Sequence, residues 1–314
     1  MIFNKSLIDG QFPDIWKEIR IVPVYKSGKQ KDVKNYRPIS IISTMAKAFE
    51  SLVYQHMYTH LKNYVRDKQH GFMCKRSTNT NLLLHVTNIA ECIDHGYQMD
   101  AIYADFSKAF DKVNHRLLLS KLQANGISDS LLKWSKSYLV NRKSRVVING
   151  HQSEVFIAES GVPQGSNLGP LFFNIFINDI TDIFFNSNAS LFADDLKLTR
   201  IVHCDNDIKL LQEDLSRLND WCNTNKMFLN VDKCYHIKFT RNKNTLLSVY
   251  DIDDRQLTEV SMIRDLGVVL DSKLTFVPHI DKTLDLANKS LGFVLRTSKN
   301  FKRCATIIRL AKQS

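Results

Sequence analysis

The sequence predicts an α/β fold of the α+β kind, and two patterns carry that reading. Apolar residues recur at helical spacing over several long stretches. Between them lie short apolar runs bounded by Gly, Asn and Asp, which read as strands joined by tight turns. No internal repeat is visible and no Pro/Gly/Ser-rich linker divides the chain.

Ile19 to Lys26 (IRIVPVYK) reads as the first strand, and the lysine-rich stretch Ser27 to Lys34 as the turn after it. Over 43–65, Met45, Phe49, Leu52, Val53, Met57, Leu61 and Val65 fall at helical spacing. The loop HGFMCKRST leads into a second helix, about Ser77 to Ile93, with Leu82, Leu83, Val86, Ile89, Ala90 and Ile93 on one face. Asp100 to Phe106 is a short apolar strand, and helical patterns return over 114–124 and 129–140. Strands at Arg145–Asn149 and Glu154–Glu159 flank Asn149-Gly150, a hairpin signal. GVPQG is a glycine-rich turn, and an apolar helix opens near Pro170. Ser190–Ala193 and Leu196–Ile201 bracket Asp194-Asp195 as a second hairpin. A long helix over 206–222 aligns Ile208, Leu211, Leu215, Leu218 and Cys222. Tyr235–Thr240 reads as a strand, and the segment from about Leu266 holds one strand and at least one helix.

With 314 residues, 44% of them hydrophobic, the chain can bury a sizeable core, which argues against intrinsic disorder. Lys and Arg number 43 against 32 Asp and Glu, and the net charge of +11 points to a polyanionic partner, nucleic acid first. The basic residues are dispersed, so charge by itself also fits a protein with solvated lysines. Cys74, Cys92, Cys204, Cys222, Cys234 and Cys304 form no C-x-x-C pair and no zinc-spaced cluster; reduced thiols suit an intracellular protein. Cys234 and His236 lack a partner pair and read as packing. No apolar run approaches the ~18 residues of a membrane span. MIFNKSLIDG lacks the apolar core of a secretory signal.

Asp105 closes the apolar run AIYAD, and Asp194 and Asp195 lie in LFADDLKL. A carboxylate at the end of a buried strand is costly unless a cation or donor compensates it. Three such groups converging from adjacent strands would offer oxygen ligands to hard divalent ions. Two ions about 3.5–4 Å apart can activate a hydroxyl and steady a departing phosphate. Each piece alone has a plainer reading, because Asp-Asp is a common turn and a strand-ending Asp commonly caps the next helix. In GVPQG, Gly161 and Gly165 permit close backbone approach, and Gln164 can donate and accept at a sugar or base edge; a plain turn is the alternative. Lys26 and Arg37 suit a triphosphate as a point charge and a planar fork, or are ordinary solvated side chains. Lys233 by itself is a strand-flanking surface lysine.

Eight segments in order extend these pieces: FPDIWKEIRIVPVYKSG, NYRPISIISTMAKAFE, QHGFMCKRST, AIYADFSKAFDKVNH, GVPQGSNLGPLFFNIFINDI, LFADDLKL, LNVDKCYHIKF and RDLGVVLDSKLTF. Together they resemble the reverse transcriptases of non-LTR (LINE-type, jockey-like) retrotransposons along nearly the whole chain. Each block is short, and their shared order makes the resemblance specific. It implies a right-hand polymerase fold, with fingers over 1–99 and partly over 112–160. A palm over 100–265 would be interrupted by that insertion, and 266–314 would be primer grip and truncated thumb. It implies an RNA-directed DNA polymerase that adds deoxynucleotides to a primer 3′-hydroxyl by two-metal nucleotidyl transfer. The cofactors would be two Mg2+ (or Mn2+). The partners would be an RNA template, a DNA primer and deoxynucleoside triphosphates, with no membrane. Nucleus and cytoplasm are the expected places of work. Family proteins often carry an endonuclease upstream, so the chain reads as a truncated or fragmentary copy.

The resemblance also implies roles. Asp105 and Asp194 would be the main metal ligands and Asp195 the third carboxylate, with the backbone carbonyl of Phe106 completing one coordination sphere. Lys26 and Arg37 would lie over the phosphates, Gln164 would contact the incoming nucleotide, and Gly165 would let the template pass. Lys233 would stand near the departing pyrophosphate as a general acid. Leu266, Gly267 and Val268 resemble the primer grip, Gly267 being alternatively a strand bulge. Phe110 takes the place of the ring that gates the sugar; by itself it is one of 18 Phe and reads as core. Asp111 is read as a helix-start or salt-bridge residue. Two other classes stay open. A decayed, non-catalytic RNA-binding relic is opposed by the presence of all three aspartates. An RNA-dependent RNA polymerase usually carries Gly-Asp-Asp and a polar ribose-reading residue, where this chain has FADD and Phe110.

Overall fold

The computed structural model describes residues 2–26, 28–299 and 308. The chain opens with α1 (Ile2–Asp9), β1 (Glu18–Tyr25), β2 (Tyr36–Ile41), α2 (Thr44–Leu61), α3 (Thr78–Asp94) and β3 (Gln98–Ala104). It continues through α4 (Ala109–Lys112), α5 (His115–Ala124), α6 (Asp129–Leu139), β4 (Arg142–Ile148), β5 (His151–Gln152), β6 (Phe156–Ala158) and α7 (Leu168–Ile177). Then come β7 (Asn188–Phe192), β8 (Asp195–Val202), α8 (Asp205–Asn225), β9 (Tyr235–Phe239), β10 (Asp251–Ile252), β11 (Arg255–Gln256) and β12 (Thr258–Glu259). A last hairpin, β13 (Met262–Asp265) and β14 (Val268–Asp271), precedes α9 (Val277–Ser298). Ser27 and, save for residue 308, the part of the expected thumb beyond residue 299, with Cys304, lie outside the described residues. Among the described residues no helix is long and apolar enough to cross a membrane.

The central sheet has the order β12-β9-β3-β8-β7. Strand β3 lies between β8 and β9, antiparallel to both, and is covered on both faces, which is why its sequence is almost continuously apolar. Ile102, Ala104, Leu196 and Leu198 join the larger core, with Phe172, Phe173 and Phe176 of α7 and Leu211, Leu215 and Leu218 of α8. Met99, Ala101, Ile237 and Phe239 face the other way, onto Ile89, Cys92 and Ile93 of α3 and Leu270 of β14. A second sheet, β2-β1-β4-β5 with β6 on β4, stands beside this core, and β1 pairs in parallel with β4 across a long stretch of sequence.

Strand β2 was not expected from the sequence, because Pro38 interrupts its pattern. It pairs with β1 in a register that sets Pro23 against Pro38. The Lys26 amide bonds to the Asn35 carbonyl three residues on, so the proline pair falls where no ladder donor is needed. Asn149-Gly150 forms the expected two-residue turn, with φ of 49° and 84°. The strand before it begins earlier than expected, at Arg142. The strand after it is split, because the pairing moves from Val147↔Gln152 to Ser144↔Phe156, which inserts one extra residue as a bulge. Residues 265 and 268 pair across Leu266-Gly267, so Gly267 is in a two-residue hairpin turn and not a strand bulge. The expected palm boundary after residue 265 cuts this hairpin; β13 belongs with β14.

Helix α2 is capped by Ser43, which accepts from the Ala46 amide, and buries Ala46, Phe49, Val53, Met57 and Leu61. Met45 and Leu52, expected on that face, point outward. Helix α3 starts in a capping box of Ser77 and Thr80. Its inner face is completed by Asn81, His85 and Cys92, which leaves Leu83 67% exposed while Ile89 is 0% exposed. Ile89→Ala is therefore expected to destabilise the fold by about 2–5 kcal/mol, and Leu83→Ala by less than about 0.5 kcal/mol. Urea unfolding checks this, and equal costs would contradict the placement of the helix.

Candidate active site

The ladder between β3 and β8 brings the candidate carboxylates together. Ala104 pairs with Leu196, so Asp105, one step past β3, comes beside Asp195 at the start of β8. The tip of the β7–β8 hairpin differs from the expected one. Phe192 pairs with Asp195, so the two-residue turn is Ala193-Asp194, and Asp195 is the first residue of the strand. Ala193 takes a left-handed conformation, φ 56°, that an L residue adopts at a cost of about 1–2 kcal/mol.

Gln69 holds that turn. Its side chain accepts from the Ala193 amide at 2.8 Å and donates to the Ala193 carbonyl at 3.1 Å, and it is 2% exposed. Residues 68–70 run beside β7, with the Leu191 amide bonded to the Lys68 carbonyl and the His70 amide to the Leu191 carbonyl. Gly71 makes the approach possible, because a Cβ there would stand 2.3 Å from the Ala193 nitrogen. In the sequence Gln69, His70 and Gly71 belong to the block QHGFMCKRST and carry no role of their own. Their only signal was the block QHGF itself.

Asp105 is tied on its other side to the loop before Lys233. The Asn230 amide bonds to the Asp105 carbonyl at 2.8 Å and the Ser107 amide to the Phe228 carbonyl at 2.7 Å. Phe106 bridges Leu229 between these bonds, and its own carbonyl oxygen receives no backbone donor among the described residues. Lys233 Nζ lies 3.9 Å from Asp105 Oδ2, and both residues line a cavity of about 460 Å3 with Asp195, Arg264 and Leu266.

Burial raises the pKa of all three carboxyls. For Asp105 the charges of Lys233 and Lys26 oppose it. Asp194 feels Asp105 as a like charge and Lys26 and Arg37 as opposite ones. Asp195 keeps access to solvent, yet crowding by protein atoms and the neighbouring charges of Asp194, Asp105 and Asp265 push it up to about 6. Lys26 and Arg37 are at the turn end of the β1–β2 hairpin, and their positive charges act on Asp194. Among the described residues no group of three or more His, Cys, Asp or Glu stands arranged to hold a metal ion. The chemistry of the donors, carboxylate oxygens that repel one another, fits hard divalent cations.

GVPQG lies against the segment after Asp105. Val162 N–H donates to the Phe110 carbonyl, and the Ser40 amide donates to the Gln164 carbonyl at 2.7 Å. Gly165, φ 112°, has room for no side chain, since a Cβ would be 2.9 Å from the Ser40 oxygen. Gln164 Nε2 donates to Asp111 Oδ1 at 2.9 Å. Asp111 is thus in the first turn of α4, as expected, but it orients Gln164 and makes no ion pair among the described residues. Phe110 is half-buried, stacked on Phe173 with centroids 4.3 Å apart and edge-on to Phe72 at 6.2 Å. Glu50, fully buried, accepts from the Asn167 amide at 3.0 Å where α7 begins and so fixes the exit of the same loop. Leu266 and Gly267 form the β13–β14 turn, with φ of 43° and 100°, and Leu266 lines the cavity beside Asp105.

Asp105 and Asp195 at paired strand ends, Asp194 in the turn between β7 and β8, and GVPQG against the segment after Asp105 make up the candidate site. Residues 26–270 match the family described as reverse transcriptase (RNA-dependent DNA polymerase), and the chain belongs to that family. It is 32% identical over 298 residues to the RNA-directed DNA polymerase from mobile element jockey of Drosophila funebris, covering 89% of this chain and 32% of the relative. It is 29% identical over 295 residues to a probable RNA-directed DNA polymerase from transposon BS of Drosophila melanogaster, covering 90% of this chain and 32% of the relative. The chain spans about a third of the length of these relatives. Among solved structures it is similar in fold to apo telomerase from Candida tropicalis truncated from its C-terminal domain, with a TM-score of 0.55 at 13% identity over 82% of this chain and 56% of the other. The telomerase of Candida albicans in complex with a fragment of telomeric RNA gives 0.53 at 12% identity, over 99% and 56%.

If the carboxylates bind a cation, free Mn2+ at tenfold its Kd stabilises the folded chain by about 1.4 kcal/mol. Asp105→Asn with Asp194→Asn is expected to raise the thermal midpoint in metal-free buffer, by removing repulsion, and to abolish the Mn2+ effect. Calorimetric unfolding checks both, and a wild-type midpoint indifferent to Mn2+ would contradict the fit.

Proposed function

We propose that this chain is the polymerase core of a non-LTR retrotransposon reverse transcriptase, copying RNA by adding deoxynucleotides to a primer 3′-hydroxyl. The observation that carries the reading is the meeting of Asp105, Asp194 and Asp195 at the ends of β3, β7 and β8, within the fields of Lys26 and Arg37. Family membership over residues 26–270 supports it. In this reading β1, β2 and β4 with their helices are fingers, the central sheet is palm, and β13–β14 is the primer grip.

Asp105, Asp194 and Asp195, with the Phe106 carbonyl, would hold two Mg2+ ions. Bound there, the ions supply a lowered pKa for the attacking hydroxyl and neutralise charge on the departing pyrophosphate. The chain's own residues do the positioning. Lys26 and Arg37 hold the triphosphate, the first as a point charge and the second as a fork. Asp111 presents Gln164 to the nucleotide, while Ser40 and Gly165 keep the loop close to the template path. Lys233 tempers the charge of Asp105 and can pass a proton to the leaving group. The primer end rests against Leu266 and Gly267.

Asp105→Asn or Asp194→Asn is expected to abolish primer extension on an RNA template in Mg2+ while leaving template binding nearly intact, because the carboxylates serve chemistry and not docking. Extension near the wild-type rate in either variant would refute the assignment. A chain that only binds RNA would show binding without extension in the unaltered protein.

Phe110 would stand against C2′ of the incoming sugar, its ring held by stacking on Phe173. A 2′-hydroxyl would collide with it. Phe110→Ala is expected to lower the ratio of kcat/KM for dCTP over CTP about tenfold, equivalent to about 1.4 kcal/mol, whereas Phe110→Tyr keeps the ring and the discrimination. An unchanged ratio in a folded, active Phe110→Ala protein would reduce Phe110 to packing.

A further inference from the structure

Lys197 lies two residues beyond Asp195, on the same face of β8, opposite Tyr103. It is 1% exposed, an uncommon place for an ammonium group. Its Nζ donates to Asn81 Oδ1 at 2.7 Å and to Asp265 Oδ2 at 2.5 Å. Asp265 is 4% exposed and is the residue just before the Leu266-Gly267 turn. Asn81 in turn donates through Nδ2 to Ser190 Oγ at 2.8 Å and to the Leu191 carbonyl at 3.1 Å. One buried charge pair therefore links the catalytic strand β8, its partner β7, helix α3 and the tip of the β13–β14 hairpin.

The far end of that hairpin is anchored by backbone bonds. The Thr240 amide donates to the Ser272 carbonyl and the Ser272 amide to the Ser261 carbonyl. Toward the tip, among the described residues, the side-chain bond from Lys197 to Asp265 is the polar tie to the palm. A buried ion pair is a poor source of net stability, and well-packed apolar residues of similar volume often serve as well or better. What it supplies is direction, since Asn81 holds the ammonium group from one side and the ammonium group holds Asp265 from the other. The cavity between the hairpin and the carboxylates, which Lys197, Asp265 and Leu266 all line, takes its width from that placement.

We propose that Lys197 is a positioning residue for the primer: through Asp265 and Asn81 it clamps the hairpin tip at a set distance from Asp105 and Asp195. The role at the primer rests on the polymerase reading above; the clamp itself does not.

The test compares the wild-type chain with Asp265→Asn, which keeps the shape, and with the apolar pair Lys197→Met plus Asp265→Leu. Primer–template KM and dNTP KM are measured separately, and hydrogen exchange is followed in the peptide spanning 266–269. The clamp predicts exchange at least tenfold faster there in both variants, with β3 and β8 unchanged, and a primer–template KM raised about tenfold with dNTP KM within twofold. A residue that only stabilises the fold would lower the active fraction and hence kcat, and would leave both KM values alone. Unchanged exchange at 266–269, or an unchanged primer–template KM in an active variant, would overturn the proposal. Should the double variant fail to fold, Asp265→Asn decides by the same two readouts. If the wild type extends no primer, the polymerase reading fails, and the exchange measurement still decides the clamp.

Discussion

The antiparallel register between β3 and β8, with Ala104 opposite Leu196, sets the position of everything at the site. It brings Asp105 beside Asp195, turns Lys197 toward α3 and the last hairpin, and sends Leu196 and Leu198 into the core against α7 and α8. A slip of one residue would exchange these faces. Lys197 would then face the apolar side chains of α7 and α8 without its carboxylate partner Asp265, an uncompensated buried charge. The placement of the carboxylates is thus fixed by hydrophobic burial some residues away from them.

That register leaves little choice at the hairpin tip. With Phe192 paired to Asp195, a two-residue turn must contain Ala193, which has neither the freedom of Gly nor the local hydrogen bonding of Asn. The strain there is about 1–2 kcal/mol. Two hydrogen bonds from Gln69, at about 0.5–1.5 kcal/mol each, are of the size needed to offset it. A block far from the palm in sequence therefore holds the turn, and Gly71 is small because the backbone of Ala193 passes where its side chain would be.

The parts of this architecture that are local in sequence were legible. Helices α2 and α3 and the Asn149-Gly150 turn follow from period, caps and turn chemistry, and Asp105, Asp194 and Asp195 stood out in ordered blocks. The parts that depend on distant partners were not. Asp194-Asp195 reads as a better turn than Ala193-Asp194, and only the register and Gln69 reverse that preference. Asp111, Glu50 and Lys197 are single charged residues whose partners, Gln164, Asn167 and Asp265, are far along the chain. Strand β2 was hidden by Pro38, whose tolerance depends on the pairing of Pro23 with it.

The central claim is that the three carboxylates gather two divalent ions for phosphoryl chemistry. Electron paramagnetic resonance can count bound Mn2+ per chain in the presence of primer–template and a non-hydrolysable deoxynucleotide analogue. The account predicts two ions close enough to couple magnetically, with binding lost in Asp194→Asn. No bound Mn2+, or Mn2+ binding indifferent to that substitution, would contradict it.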